Sequence, residues 1–159
     1  MIQEPGSDLT EKIIGIAINV HRKLGPGLLE SVYNQCLSHA LRKNGLSIQR
    51  EVPLPLIFDG LRLDKGYMAD IIVEDTVLLE LKAVEHILPL HEAQTRTYLK
   101  LSRCRLALLL NFNSLMLKDG ISRFALTTPR HAAQPPVPGG PRTTPTPPEA
   151  AKPAAATAA

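Results

Sequence analysis

Two short apolar runs that meet at a polar turn constrain the fold of this chain more than any other feature. Residues 71–73 and 77–79 are aliphatic, and the three residues between them, 74–76, are polar. Runs of this length around a short polar turn are typical of a β-hairpin. The turn contains neither glycine nor asparagine, so the register follows from the apolar pattern alone, which pairs Val73 with Val77.

Charged side chains lie at the open end of this predicted hairpin. The register puts Asp70 across from Glu80, and side-chain alternation puts Glu80 and Lys82 on one face. Mg²⁺, or Mn²⁺ in its place, is commonly held by one or two carboxylates with waters and phosphate oxygens. A neighbouring lysine can help to deprotonate or orient the attacking water, or stabilise charge on the phosphorus oxygens. The pattern predicts metal-dependent phosphodiester hydrolysis, with Asp70 and Glu80 as ligands and Lys82 as a catalytic residue.

A second interpretation of the same residues is purely structural. Glu80 and Lys82 can form the solvated side of an amphipathic strand, and Asp70 can simply begin the hairpin. The spacing Asp-x9-Glu-x-Lys arises often by chance, so the motif is a hypothesis until its structural context agrees.

A short helix is predicted downstream, over residues 91–101. His91, Gln94 and Tyr98 fall at spacings of three and four and therefore share a stripe of this helix. A glutamine amide and a tyrosine hydroxyl one turn apart can bind phosphate oxygens or a metal-bound water, which predicts that Gln94 and Tyr98 position the substrate. A half-buried aromatic ring with a wet hydroxyl is the alternative for Tyr98. Further positive charge is expected nearby from Arg96, Lys100, Arg103 and Arg105.

Two helices are predicted upstream of the hairpin. The first covers LTEKIIGIAINVHRKLG and ends at Gly25-Pro26-Gly27; the second runs from about Leu28 to Lys43. The apolar face predicted for the first helix consists of Ile14, Ala17, Ile18, His21 and Leu24. His21 is therefore either a hydrogen-bonded core histidine or a ligand. Glu30 lies in the first turn of the second helix. There its negative charge can interact favourably with the positive end of the helix dipole, or it can add a third acid to the metal site.

Several ordered blocks of the sequence resemble the GxxExxY protein family. They are VHRKLGPGLLESVY, which contains the signature run GLLESVY, and GYMADIIVED, LLELKAVE, HEAQTRTYL and LLLNFN. The resemblance covers residues 9–126. That family is grouped with the PD-(D/E)xK nuclease-like superfamily, which implies a restriction-endonuclease-like core with a mixed sheet flanked by helices.

The resemblance also implies roles for individual residues. Asp70 would be the hairpin aspartate, Glu80 and Lys82 the Glu-x-Lys pair, and Glu30 the acid from the preceding helix. The Gln94-x3-Tyr98 pair resembles the Gln-x3-Tyr element of RecB-type nucleases, whose upstream histidine His21 would match. The proline of the superfamily name is absent, since Ala69 precedes Asp70, but no ligand is lost. No substrate follows from the resemblance.

The remaining segments complete an α/β (α+β) fold of order ααβββαββ. Residues 47–60 and 60–73 are predicted to be extended, with Pro53 and Pro55 favouring an edge position or an irregular stretch, and residues 106–111 are predicted to form a central strand. We expect one domain over residues 1–126. From residue 127 proline, alanine and threonine dominate, which predicts a disordered tail over 127–159.

Charge, cysteines and hydropathy limit the partners of the chain. The formal net charge is +3, of which Arg130, Arg142, Lys152 and Glu149 contribute +2, so the domain carries only about +1. Nucleic acid is therefore expected to bind local patches and not the protein as a whole. Two cysteines without a CxxC pair argue against zinc or iron–sulfur sites, and no segment is apolar enough to span a membrane, so a cytoplasmic protein is expected.

Three functions remain open from the sequence. The first is a nuclease that acts on DNA or RNA with Mg²⁺ or Mn²⁺. The second is a catalytically silent nuclease-like domain that binds nucleic acid or protein. The third is a structural subunit whose tail recruits a partner. A single small domain leaves a shallow groove, so a homodimer or a partner protein is a further possibility.

Overall fold

A computed structural model describes residues 7–126 of the 159-residue chain. The predicted tail, residues 127–159, lies outside the described residues. The helices are α1 (Ser7–Leu24), α2 (Glu30–Lys43) and α3 (Pro89–Leu101), the strands are β1 (Ile48–Phe58), β2 (Leu61–Val73), β3 (Val77–Lys82), β4 (Leu106–Asn111) and β5 (Ile121–Ala125), and a 3₁₀ turn covers Leu117–Gly120.

The five strands form one mixed sheet in the order β1-β2-β3-β4-β5. All neighbours are antiparallel except β3 and β4, which are parallel and are joined by α3. A parallel pair requires a crossover of this kind, because the chain must return to the starting edge of the sheet. The predicted α+β fold with the order ααβββαββ is therefore confirmed, as is the edge position of β1, whose register shifts between Leu54 and Leu56 around Pro55.

Apolar side chains cover both faces of the central strands. On one face Leu79, Leu81 and Leu108 pack beneath α1 and α2, whereas on the other Leu78 and Leu109 pack beneath α3. A strand that is buried on both faces has a continuous apolar sequence and not an alternating one. β4 has such a sequence. The expectation that one face of β3 is solvated is therefore wrong.

The buried stripe of α1 matches the predicted one in part, since Ala17 and His21 are buried as predicted. Ile13, Ile16 and Val20 are buried, whereas Ile14 and Ile18 are only partly buried. Both sets have helical spacing, and the difference is a rotation of about one residue around the helix axis. In α2 Tyr33, Leu37 and Leu41 are fully buried. The helix begins at Glu30 and not at about Leu28, so Leu29 precedes it and is 73% exposed.

β1 and β2 continue past the end of β3 as a two-stranded arm, residues 54–67. The pairing of β2 with β3 covers only residues 71–73, whereas β1 and β2 remain paired to the tip at Phe58 and Leu61. The tip turn is Asp59-Gly60 with positive φ at both residues, a sequence that favours tight hairpins. At about 3.3 Å per residue, the arm projects roughly 20 Å beyond the carboxyl end of β3.

None of the helices among the described residues combines the length and the apolar character needed to cross a lipid bilayer.

Candidate active site

The β2–β3 hairpin ends at the position of the predicted acidic pair. Val73 pairs with Val77 and Ile71 with Leu79, as the apolar pattern predicts. Asp70 and Glu80 follow in the same register just beyond the last of these pairs. There the Oδ2 atom of Asp70 accepts a hydrogen bond of 2.8 Å from the backbone N–H of Leu81. The carboxylate of Asp70 is therefore held against β3.

Glu80 and Lys82 form a buried ion pair beside Asp70. The Nζ atom of Lys82 donates a hydrogen bond of 2.7 Å to Oε1 of Glu80, and the two side chains are only 14% and 5% exposed. The interpretation of these residues as the solvated side of a strand is therefore wrong. The second carboxylate oxygen of Glu80, Oε2, is the one buried side-chain polar atom among the described residues that has no hydrogen-bond partner.

The environment of the acidic pair holds both carboxyl groups at raised pKa values. Burial raises the pKa of Glu80 to about 7, and the negative charge of Asp70 adds to this effect, although Lys82 opposes it. Burial likewise raises the pKa of Asp70, against the hydrogen bond from Leu81. Neighbouring buried carboxyl groups with raised pKa values are typical of a cation-binding or catalytic site.

The neighbouring donors respond to the same negative charge. Burial lowers the pKa of Lys82, but the hydrogen bond from Lys82 to Glu80 and the charges of Glu80, Glu30 and Asp70 outweigh burial and raise it. Burial and the charge of Glu80 raise the pKa of the Tyr98 hydroxyl. Lys82 therefore remains protonated at neutral pH, and Tyr98 remains a hydrogen-bond donor.

The loop between α1 and α2 brings Glu30 to this site. Gly27 has φ +98°, a conformation that glycine adopts without steric cost. The hydroxyl of Tyr33 accepts the N–H of Leu28 at 3.1 Å and donates to the carbonyl of Gly25 at 2.6 Å. These contacts fix the loop from which α2 begins. The charge of Glu30, its first residue, raises the pKa of both Asp70 and Glu80.

His21 lies in a different environment. It is 5% exposed, its Nε2 atom is 2.8 Å from the carbonyl oxygen of Ser114, and its ring packs on Phe112. The contact ties α1 to the loop that follows β4. The structure thus gives His21 the contacts of a hydrogen-bonded core residue, one of the two roles predicted for it.

α3 contributes Tyr98 and, one turn earlier, Gln94 to the same face of the sheet. Both side chains are half-buried, and the Tyr98 ring packs against Tyr67 of β2 with 5.2 Å between ring centroids. His91 accepts the N–H of Leu88 through Nδ1 and so fixes the start of the helix.

Two of the basic residues expected near Tyr98, Arg96 and Arg105, have other surroundings. Because α3 returns the chain to the starting edge of the sheet, Arg105 precedes β4 there, and its N–H donates to the carbonyl of Thr76. Arg96 lies over the ring of Phe124 at 4.5 Å and 3.7 Å from Glu92. The expectation that Arg105 adds positive charge at the site is therefore wrong, whereas Arg96 contacts Phe124 and Glu92.

One residue of the site was absent from the sequence-based prediction. Asn111, at the carboxyl end of β4 opposite Lys82, is 4% exposed and holds the chain after β3. Its Oδ1 atom accepts the N–H of Val84 at 3.1 Å and its Nδ2 atom donates to the carbonyl of Val84 at 2.9 Å. The sequence contained a signal for Asn111, because a polar residue at the end of an apolar strand often lies at a functional edge of a sheet.

The donor set fits a hard divalent cation with a partial protein shell. Asp70 and Glu80 supply carboxylate oxygens, and Oε2 of Glu80 has no protein partner. Within residues 7–126 no three acidic, histidine or cysteine side chains converge on one metal position. Mg²⁺ is typically held by one or two carboxylates and keeps several waters, so two ligands are sufficient. Glu30 and His21 as further ligands stay predictions.

Comparison with protein families identifies the fold. The sequence model of the PD-(D/E)XK nuclease superfamily matches residues 7–124, about three quarters of the chain. The chain belongs to the PD-(D/E)XK nuclease superfamily. The match covers every described helix and strand up to Phe124 of β5, and it includes Glu30, Asp70, Glu80 and Lys82. No curated protein and no solved structure matches the chain. The PD-(D/E)XK match therefore establishes a nuclease-like domain.

Proposed function

We propose that this domain is a divalent-metal-dependent phosphodiester hydrolase that acts on DNA or RNA. The observation that carries the proposal is the free Oε2 atom of Glu80, buried beside Asp70 and Lys82. A buried carboxylate oxygen without a partner costs roughly 1–3 kcal/mol or more, which a fold retains at a functional site. A cation bound by Glu80 and Asp70 would satisfy this oxygen and compensate the two carboxylates for the burial that raises their pKa values.

The metal would supply an activated water and a positive charge for the phosphate. Asp70 and Glu80 would hold it, in each case with an oxygen that is not engaged by Leu81 or Lys82. Either Mg²⁺ or Mn²⁺ suits these oxygen ligands. Glu30 supports the site through its charge.

Lys82 is proposed to act on the phosphate and on the attacking water. Its raised pKa keeps the ammonium group protonated, which favours stabilisation of charge on the phosphorus oxygens over proton abstraction. The hydroxyl of Tyr98 and the amide of Gln94 would donate hydrogen bonds to the same phosphate from α3. These donors are fixed before the substrate arrives, because α3 packs on the sheet through the buried Leu99 and Thr95.

The alternative is a nuclease-like domain that binds nucleic acid or protein without turnover. The absence of a third converging metal ligand among residues 7–126 favours it. The alternative leaves the buried, unpaired oxygen of Glu80 without a purpose, so we place it second. The sequence run Gly27–Tyr33 supports assignment of the domain to the GxxExxY group, since its three named positions form the loop conformation, the third acid and the loop anchor.

The test is cleavage of labelled single- and double-stranded DNA and RNA by the wild type, Lys82→Ala and Lys12→Ala, each with Mg²⁺, Mn²⁺ and a chelator. Lys12 is an exposed residue of α1 and serves as the matched lysine control. We expect metal-dependent cleavage that falls at least 100-fold in Lys82→Ala and persists in Lys12→Ala. Retained binding without cleavage of any polymer would support the binding module instead.

A further inference from the structure

The most exposed large apolar side chains lie at one edge of the domain. Seven described residues of this kind are more than half exposed: Leu29, Phe58, Leu61, Leu88, Leu90, Leu115 and Met116. Isolated exposed leucines are common, but a set that gathers at one edge marks a contact surface.

The topology places these residues at the same edge of the sheet as the candidate active site. β3 and β4 are parallel, so Lys82 and Asn111 end at the same edge, and the loops after them carry Leu88 and Leu115. Asn111 binds the first of these loops, and His21 ties the second to the end of α1. We name the five loop and helix-start residues the apolar rim: Leu29, Leu88, Leu90, Leu115 and Met116. Phe58 and Leu61 lie at the tip of the arm, which projects from the same edge.

The charge of this edge is balanced. In residues 22–30, 83–88 and 112–120 the lysine and arginine side chains are Arg22, Lys23 and Lys118, and the carboxylates are Glu30, Glu85 and Asp119. On the arm beyond residue 58, the two positive charges of Arg62 and Lys65 equal the two negative charges of Asp59 and Asp64. Arg62 and Asp64 form an ion pair of 2.6 Å.

A balanced edge cannot derive its affinity for nucleic acid from phosphate neutralisation. Proteins that grip a duplex by its backbone place many cations along it, and this gives them a steep salt dependence. A duplex hides its base faces in the stack and presents phosphates and sugars outward, whereas an unpaired strand also offers the apolar faces of its bases.

We propose that the apolar rim receives the bases of an unpaired nucleic-acid strand while one of its phosphates enters the site at Asp70 and Glu80. This inference rests on the proposed hydrolase function and names its substrate class. Glu80 is 4% exposed, so a phosphodiester must enter a recess, which a flexible single strand does more readily than a stiff duplex. The aromatic pair Tyr67–Tyr98 and the arm border the same recess.

The test is equilibrium binding followed by fluorescence anisotropy, with the full chain carrying Lys82→Ala in Mg²⁺. The probes are a labelled 20-nucleotide oligothymidylate, an abasic strand of the same length, a 20-base-pair duplex and oligouridylate. The abasic strand has the same phosphates without bases. We expect oligothymidylate to bind at least about tenfold more tightly than the abasic strand and the duplex. Oligouridylate distinguishes RNA from DNA.

Leu90→Ser with Leu115→Ser is the rim variant, and Leu126→Ser is the matched control. Leu126 is 40% exposed and pairs with Arg105 at the opposite edge of the sheet. The rim variant should lose the tenfold preference for the strand with bases, and the control should keep it.

We also expect the logarithm of affinity to fall with the logarithm of salt concentration with a slope no steeper than about −2, as for about three phosphate contacts.

Three outcomes would overturn the inference: equal binding of the abasic strand, equal binding of the duplex, or an unchanged preference in the rim variant. Size-exclusion chromatography addresses a competing occupant, because a dimer that dissociates in the rim variant without a change in strand preference would assign the rim to a second copy of the chain. Wild-type cleavage separates the two proposals. Equal cleavage of duplex and single strand removes the rim inference alone, whereas base-dependent binding without cleavage removes the hydrolase alone.

Discussion

The carboxylate of Glu80 lies where an ionised group is costly to keep, next to a second carboxylate and under a helix. Its spacing from Asp70 and Lys82 was predictable, since β-strand alternation and register alone bring the three together. Its burial was not predictable from the hairpin, because the covering elements, β4 and α3, come later in the chain. Local pattern therefore identified the residues, and tertiary packing determines their chemistry.

The pH dependence of stability should report the buried carboxyl group of Glu80. Its pKa is about 7 in the folded state against 4.5 unfolded, so the folded state binds the proton more tightly. In the metal-free protein this contribution to stability is complete below about pH 4.5 and is lost as the pH rises to about 7. Glu80→Gln should therefore exceed the wild type in unfolding free energy by about 3 kcal/mol at pH 8 and by little at pH 5.

Urea denaturation in the presence of a chelator measures this difference. Glu11→Gln, an exposed glutamate of α1, is the control and should follow the wild type at both pH values. A constant difference between Glu80→Gln and the wild type from pH 5 to pH 8 would argue that Glu80 titrates normally.

Metal binding should compete with the same proton. Because Glu80 must be ionised to bind a cation, Mg²⁺ should raise the melting temperature more at pH 8 than at pH 6. Asp70→Asn should lose most of this rise, whereas Asp59→Asn at the tip of the arm should retain it. Thermal denaturation with and without Mg²⁺ is the measurement, and a shift that is insensitive to pH or equal in both variants would speak against the assigned ligands.

At the scale of elements, the order of helices and strands was predictable, whereas two local features were not. The turn between β2 and β3 lacks glycine, and Glu74 and Asp75 both adopt positive φ there. Glu74 Oε1 accepts the N–H of Ser47 at 2.7 Å and Asp75 Oδ1 accepts from Gln49 at 2.6 Å, which offsets the strained backbone. No turn rule anticipates such distant partners. The orientation of α1 was predicted only in part, because two neighbouring apolar stripes fit its sequence.

The loop that presents Glu30 should depend on a single hydroxyl group. Tyr33→Phe removes the acceptor of the Leu28 N–H and the donor to the Gly25 carbonyl in a fully buried position. Unpaired groups of this kind cost roughly 1–3 kcal/mol each, so the unfolding free energy should fall by about 2 kcal/mol. Chemical denaturation measures this change. Tyr67→Phe on the arm is the control. An equal fall in the unfolding free energy of this variant would show that the effect at Tyr33 does not come from its two hydrogen bonds.

At the scale of the whole molecule, closeness in sequence was a poor guide to closeness in space where α3 returns the chain to the other edge of the sheet. Arg103 and Arg105 follow Tyr98 closely, yet a parallel β3–β4 pair requires α3 to carry them to the opposite edge. The parallel pairing itself was not part of the prediction, so this consequence was not drawn. The apolar rim was invisible for a similar reason, because its members come from three separate loops.

The described core should fold without the last thirty residues. Every buried side chain among residues 7–126 lies between Thr10 and Phe124. We therefore expect a chain that ends at residue 129 to keep the melting temperature and the metal-induced shift of the full chain. Differential scanning calorimetry of both proteins is the measurement. A fall of several degrees in the shorter chain would assign the tail a structural role.

The parallel β3–β4 pair also sets the order of events as the chain leaves the ribosome. Because the β2–β3 hairpin closes a short loop, we expect it to form early and to bring Asp70 to Glu80. Glu80 becomes buried only after α3 and β4 have been synthesised and docked. A nascent chain thus carries its acidic pair in water, ionised and unstrained, and acquires the proposed chemistry only on completion of the sheet.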